Sequence, residues 1–257
     1  MVGNIDPEGI ELKTTLKHVD FSGKDVLEVG CGDGRLTFRY ADFARRVVGI
    51  DPEAVEIEKA KRNVPENLVS KLEFRVGKGE ELLFPNEYFD IVFFTHSLCC
   101  ISSPYMKKAL EEAWRVLKPE GTLINLQPSL QQPFLGGGFF EHVAGDVAYL
   151  ITDKSEDLIG FKEGQRDARE AIKYVALIQG KFDLIAEEDF TDNIYYDTVE
   201  NALNSLIENR KKEYSKLDEN TKTEIHRKLC TLLTENGVLT KWNVVLTVLS
   251  KVENARA

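Results

Sequence analysis

The chain has 257 residues, of which 33 are Lys or Arg and 43 are Asp or Glu, giving a formal net charge of −10. That balance argues against a broad nucleic-acid footprint, which needs clustered cations facing phosphates, while a hydrophobic content of 42% is enough for a sizeable core. The four cysteines, Cys31, Cys99, Cys100 and Cys230, show no C-x-x-C spacing, so neither a zinc site nor a disulfide framework is expected and no metal is assigned.

The opening segment MVGNIDPEGIELK lacks the apolar core of a signal peptide, and no run approaches the ~18 apolar residues of a membrane span, so a cytoplasmic protein is the expectation. Residues 26–29 read as a short apolar strand, and residues 47–50 as a second, followed by a charged helix over 53–63. Residues 72–76 read as a third strand and 90–94 (DIVFF) as a fourth, apolar enough to be buried on both faces. Ser103 and Pro104 make a helix start, with the helix running to about Leu117, then a turn over 118–121 and a fifth strand over 122–126. Strands alternating with helices predict a parallel sheet with helices on both faces.

The rhythm changes after Pro128. SLQQPFLGGGFFEHV is loop-like, with Gly136, Gly137 and Gly138 in a row as a candidate hinge. A helix over 165–178 and a sixth strand over 182–190 follow. Two amphipathic helices come next. The first starts near Asp197, where Asp197-x-x-Glu200 has capping-box form, and shows Val199, Leu203, Leu206 and Ile207 on one face. The second starts near Thr221 (Thr221-x-x-Glu224), buries Ile225, Leu229, Leu232 and Leu233, and stops at Asn236-Gly237. Residues 242–252 are the longest strand candidate. The chain therefore reads as a single domain over 1–257, with a core of about 20–190 and 240–253. A helical insertion of about 195–238 either packs on the sheet edge or closes as a lid.

The most informative stretch is VLEVGCGDGRL, residues 26–36. Gly30, Gly32 and Gly34 alternate directly after the first strand, and Glu28 precedes them by two. A dinucleotide fingerprint is G-x-G-x-x-G, yet Arg35 stands near where its third glycine belongs, and no P-loop Lys follows. A carboxylate at the strand end suits a cationic ligand better than a pyrophosphate. Asp51 closes the second strand; its carboxylate can accept two ribose hydroxyls or cap the following helix.

E-x-G-x-G resembles the first motif of class I S-adenosylmethionine-dependent methyltransferases. The stretches VVGIDPEAVEIEKAKRN, FRVGKGEELLFPNEYFDIVFF and EEAWRVLKPEGTLINLQ resemble that family's later segments in order and spacing, covering about residues 24–128, in the manner of its type 11 group. The resemblance implies a Rossmann-like sheet of seven mostly parallel strands, the last antiparallel beside the fifth. It implies S-adenosyl-L-methionine as cofactor and S-adenosyl-L-homocysteine as product. The positions it brings to the cofactor are Glu28, Gly30, Cys31, Gly32, Gly34, Asp51, Pro52, Gly79, Glu80 and Thr95. Lys78 departs from the pattern, standing where the family usually has an Asp that accepts from the adenine amino group; an ammonium has no lone pair to accept with. Arg115, Pro119 and Gly121 are expected to shape a turn.

Methyl transfer from a sulfonium is an in-line displacement for which the protein chiefly aligns the partners. Ligands of such sheets bind outside the carboxyl ends of the strands, which makes His96, directly after the fourth strand, the first candidate base and His142 the second. Phe134, Phe139, Phe140, Tyr195 and Tyr196 are candidates for an acceptor wall or for simple core, and Cys99 and Cys100 are expected to be structural. Thr95-His96-Ser97-Leu98 carries no nucleobase-amino methylation signature, so a small-molecule acceptor is expected rather than nucleic acid. The alternative is a non-catalytic member of the fold that binds a protein partner. The sequence leaves the oligomeric state open.

Overall fold

The computed structural model describes residues 4–129, 156–207 and 211–253. Two compact units emerge: Leu12–Gln127, Glu163–Glu188 and Val245–Ala257 make the larger, and Met1–Glu11, Pro128–Lys162 and Asp189–Val244 the other. The strands are β1 (Asn4–Ile5), β2 (Asp25–Val29), β3 (Arg46–Asp51), β4 (Leu72–Val76), β5 (Phe89–Thr95), β6 (Leu117–Pro128), β7 (Phe182–Tyr196), β8 (Leu233–Thr234) and β9 (Gly237–Lys251). The α-helices are α1 (Ile10–His18), α2 (Thr37–Tyr40), α3 (Ala54–Arg62), α4 (Ser103–Val116), α5 (Glu156–Lys173), α6 (Val199–Ile207), α7 (Lys211–Ser215) and α8 (Glu219–Cys230).

In the larger unit the strand order is β4-β3-β2-β5-β6-β9-β7. The pairs β3–β4, β2–β3, β2–β5 and β5–β6 are parallel. All five residues of β2 are buried, the reason DVLEV reads as an unbroken rather than alternating run. β9 runs antiparallel to β6: Lys251 Nζ donates to the Leu117 carbonyl at 2.6 Å, while the Ser129 amide donates to the Asn243 carbonyl at 2.9 Å. On one face of the sheet, Leu27, Val29, Val92, Phe94 and Leu123 pack against Met106, Ala109 and Ala113 of α4 and Ala168, Ala171 and Ile172 of α5. On the other, Phe21, Tyr40 and Phe93 stack their rings 5.0–6.4 Å apart.

In the smaller unit, β1 pairs antiparallel with the end of β7, and β8 forms a hairpin with the start of β9. Ile194, Tyr196, Ala202, Leu203, Ile225, Leu229 and Val238 make its core. Two details of the helix pair differ from the sequence reading. The α6 cap is Thr198, whose Oγ1 accepts from the Asn201 amide at 3.1 Å, rather than Asp197. The α8 cap is Asp218, accepting from the Thr221 amide at 2.8 Å, and the helix ends at Cys230. Leu233 consequently lies outside the helix and is 58% exposed. The hairpin turn is Glu235-Asn236, and Gly237, the first residue of β9, takes φ +109°, where a Cβ would come within 2.4 Å of the Tyr196 carbonyl oxygen.

Two strands are longer than their sequence patterns: β6 begins at Leu117, and β7 runs on to Tyr196. The expected turn at 118–121 survives as an irregularity, since β5–β6 pairing jumps from Phe89↔Leu117 to Ile91↔Thr122. Among the described residues, no helix is long and apolar enough to cross a membrane.

Candidate active site

The glycine turn leaves β2 and passes over the end of β3, where the Gly30 and Cys31 amides both donate to the Ile50 carbonyl, at 2.8 and 3.0 Å. Gly30, Gly32 and Gly34 all have positive φ, at +76°, +54° and +88°. Their surroundings separate them. A Cβ on Gly30 would sit 2.1 Å from the Ser97 Cβ, and one on Gly34 would sit 2.6 Å from the Phe38 ring. These two glycines are demanded by the protein itself. At Gly32 a Cβ would meet nothing within 4 Å, so its backbone faces open space.

Asp51 sits at the carboxyl end of β3 with 9% exposure. One carboxylate oxygen accepts from the Gly32 amide at 3.0 Å and the other from the Glu53 amide at 2.9 Å. Each oxygen keeps a lone pair for a further donor. Pro52 beside it is exposed. The Gly77 amide donates to the Asp51 carbonyl at 3.1 Å, which draws the turn after β4 to the same edge. In that turn Lys78 bridges to Glu81, Lys78 is exposed, Gly79 buried and Glu80 half-buried.

Glu28 lies beneath the turn at 1% exposure. Its carboxylate accepts from Thr37 Oγ1 at 2.5 Å, Tyr40 OH at 2.7 Å and Thr95 Oγ1 at 2.7 Å. Burial pushes its carboxyl above the usual range, against the pull of those hydroxyls toward the ionised form. Burial, with Glu28 and Asp51 nearby, raises the Cys31 thiol far out of its ordinary range, so it is held protonated. Thr95 ends β5 and is committed to Glu28. His96 follows with φ +55°, its amide donating to the Leu126 carbonyl at 2.7 Å, and its side chain is half-buried. Cys99 is buried and Cys100 exposed, with both sulfurs near the His96 carbonyl at 3.8 and 3.4 Å.

The carboxyl ends of β2, β3 and β5 thus gather Glu28 with Thr95, and Gly32 with Asp51. His142, Phe134, Phe139, Phe140 and Gly136–Gly138 lie outside the described residues. Tyr196 belongs to the smaller unit's core, with its hydroxyl 3.2 Å from Ser205 Oγ, and Tyr195 pairs with Asn4 across β1 and β7. The sequence reading missed Thr37 and Tyr40. A hydroxyl-rich stretch after an acid is too common a pattern to single them out; only the fold brings them to Glu28. Among the described residues, Asp6, Glu11 and Asp192 of the smaller unit bring carboxylate oxygens within 4.8 Å of one another. Asp6 spends its oxygens capping α1, accepting from the Ile10 and Glu11 amides.

Residues 27–125 match the family described as methyltransferase domain. The chain is 29% identical over 153 residues to the ubiquinone/menaquinone biosynthesis C-methyltransferase UbiE of Rickettsia bellii, an alignment covering 55% of this chain and 60% of that protein. Among solved structures, YcgJ of Bacillus subtilis superposes with a TM-score of 0.53 at 20% identity, over 95% of this chain and 97% of that one. A geranyl diphosphate C-methyltransferase of Streptomyces coelicolor A3(2), solved with Mg2+, geranyl diphosphate and S-adenosyl-L-homocysteine, gives 0.54 at 15% identity, over 95% and 79%. These structural likenesses establish the fold. The chain spans between 47% and 60% of the length of the first curated relatives it matches.

Proposed function

We propose that the chain, whose residues 27–125 match the methyltransferase-domain family, binds S-adenosyl-L-methionine and transfers its methyl group to a small molecule. The observation that carries this reading is the Gly32–Asp51 pair: an open-faced glycine bonded to a carboxylate that retains accepting capacity. That donor set fits the cofactor. Gly32 gives the methionine end close access to backbone, and Asp51 accepts from the ribose hydroxyls, each such charge-assisted bond contributing roughly 1.5–3 kcal/mol. An acid at the position of Asp51 also binds ribose in dinucleotide folds; what disfavours a dinucleotide is Arg35, which stands where its third glycine belongs.

The cofactor supplies the electrophilic methyl and its leaving group. What remains for this chain is alignment, which can contribute ~7–11 kcal/mol, and proton management. Glu28 acts through Thr37, Tyr40 and Thr95, fixing the floor under the glycine turn. Thr95, whose hydroxyl donates its hydrogen bond to Glu28, is a fixed post rather than a base. His96, next in line, takes up the proton that the acceptor releases. Gly79 and Glu80 receive the adenine amino group in place of Lys78, the latter by its carboxylate.

A small acceptor is supported by the likeness to UbiE, a C-methyltransferase of ubiquinone/menaquinone biosynthesis, and to the geranyl diphosphate C-methyltransferase, and by the net charge of −10. Four free cysteines suit a reducing, cytoplasmic setting. Calorimetric titration with S-adenosyl-L-homocysteine, and separately with NAD, tests the reading. Micromolar binding of the first alone, lost in Asp51→Ala, is the expected result. Binding of neither would transfer the weight to a non-catalytic, partner-binding role, the reading that Lys78 favours.

A further inference from the structure

β6 carries two amides into an otherwise apolar face. Residues 123, 125 and 127 alternate onto one side of the sheet, and Leu123 packs there in the core shared with α4 and α5. Asn125 and Gln127 succeed it toward the carboxyl end, at 0% and 2% exposure. Both polar atoms of the Asn125 amide, and Oε1 of Gln127, have no hydrogen-bond partner among the described residues. α5 adds a third amide, Gln165, which is 2% exposed and whose Nε2 likewise has no partner.

The placement of Gln165 is fixed by its neighbours. Ala168, one turn on, packs into the same core. Gly164, one residue back, lies so close to the segment after β5 that a Cβ would meet the Cys99 carbonyl oxygen at 2.4 Å. Register sets Asn125 opposite Phe94, and Leu126 opposite Thr95. The backbone of Asn125 therefore lies one strand spacing, about 4.8 Å, from that of Phe94, next to the end of β5 where His96 begins. Gln127 also lines a cavity of about 240 Å³ with Ile172, Val245 and Thr247.

Unpaired polar atoms in a protein interior are rare and oppose folding. Here they come as two acceptors and two donors on three neutral side chains, two on one face of β6 and one on the helix that packs over it. We propose that Asn125, Gln127 and Gln165 recognise the methyl acceptor, and that the acceptor is an uncharged molecule presenting a hydrogen-bond donor beside a carbonyl oxygen, as in a lactam or a hydroxy-carbonyl group. This assignment rests on the methyl-transfer reading above. The cations at the cavity rim are engaged: Arg169 with Glu187 at 2.9 Å and Lys173 with Glu170 at 3.0 Å. A carboxylate or phosphate would meet no complementary charge among the three amides. An apolar acceptor would leave all four atoms unpaired, and sites built to hydrogen-bond reject such analogues strongly.

The test uses the full chain and 2-pyridone, which sets an N–H beside a carbonyl, with benzoate and toluene as charged and apolar counterparts. Ligand-observed NMR in the presence of S-adenosyl-L-homocysteine should show 2-pyridone bound, with benzoate and toluene unable to displace it. Asn125→Leu and Gln165→Leu should each weaken it at least tenfold. Asn125→Leu should also melt no lower than the parent, since it removes two unpaired atoms at nearly constant volume. A lowered melting point, or failure of that variant to fold, would mean that the amide is structural and would overturn the assignment. So would 2-pyridone binding that is absent, indifferent to both variants, or displaced by benzoate. Titration of S-adenosyl-L-homocysteine on the same samples separates the two readings. Cofactor binding without 2-pyridone binding sinks the acceptor assignment alone; 2-pyridone binding without cofactor binding sinks methyl transfer and leaves the pocket.

Discussion

Glu28 is an acid enclosed by three hydroxyls, and its burial raises its carboxyl above the ordinary carboxylate range. The folded state therefore holds that proton at pH values where the unfolded chain, near 4.5, has released it. Across that window the folded form binds more protons, so Glu28's contribution to stability is present below the unfolded value and is lost as pH rises through the raised one. The loss is about 1.4 kcal/mol for each tenfold separation of the two constants. Glu28→Gln should remove that slope. Urea midpoints measured from pH 4 to 8 should show variant and parent alike at the acid end and diverging in the variant's favour toward neutrality; parallel curves would refute the account. The three glycines divide similarly. Gly30→Ala forces a Cβ into Ser97 and should prevent accumulation of folded protein. Gly32→Ala meets only the strain of its left-handed backbone, about 1–2 kcal/mol, and should fold while losing at least tenfold in S-adenosyl-L-homocysteine affinity. His96→Asn should retain that affinity and lose on the order of 10²-fold in kcat once an acceptor is in hand.

At the scale of elements, α4 is tied to the segment before β5 by two side chains, Glu112, which accepts from the Leu82 amide at 3.0 Å, and Arg115. Arg115 donates to the Leu82 and Phe84 carbonyls and to Asn86 Oδ1, each at 2.8–2.9 Å, and pairs with Glu112 one turn back. The Arg115 guanidinium holds the Glu112 carboxyl below its usual range even though partial burial opposes it. The Glu112 contribution is thus present above the ordinary carboxylate value and fades as pH falls through the lowered one. Arg115→Ala should cost about 3 kcal/mol in urea unfolding at pH 7, with Arg115→Lys recovering only part because an ammonium cannot fork to two carbonyls. A loss below 1 kcal/mol would show that the segment holds itself. Arg115 was expected to shape the turn over 118–121, whereas its side-chain bonds run to residues 82–86. β2, β3 and β5 were legible to within a residue because parallel strands buried on both faces leave unbroken apolar runs. Caps were less so: Asp197 and Thr198, or Asp218 and Thr221, offer rival oxygens within one turn, and only backbone geometry chooses between them. β1, α2 and β8, of 2 to 4 residues, are too short for periodicity to reveal. Of the site, the glycines and Asp51 were legible because their chemistry is local. Glu28's hydroxyl partners and the clash that fixes Gly30 were not, because contacts 9 to 68 residues apart decide them.

At the scale of the molecule, a ligand that binds only the folded form must stabilise it. S-adenosyl-L-homocysteine at 100 times its Kd should add about 2.7 kcal/mol, read as a raised calorimetric midpoint that Asp51→Ala abolishes. With a net charge of −10, the chain should not retard duplex DNA at physiological salt. One feature of the strand order reaches into the history of the molecule. β9 lies between β6 and β7, yet it is the last of the three to leave the ribosome, 109 residues behind the end of β6 and 41 behind that of β7. While it is still being made, β6 has an open flank and β7 has no neighbour on that side, so the nascent chain carries a bare, sticky edge through the interval in which β7 and α6 to α8 are synthesised. Assembly of this sheet waits for its final strand, and a chain halted at Val244 should be a client of chaperones rather than a smaller version of the protein.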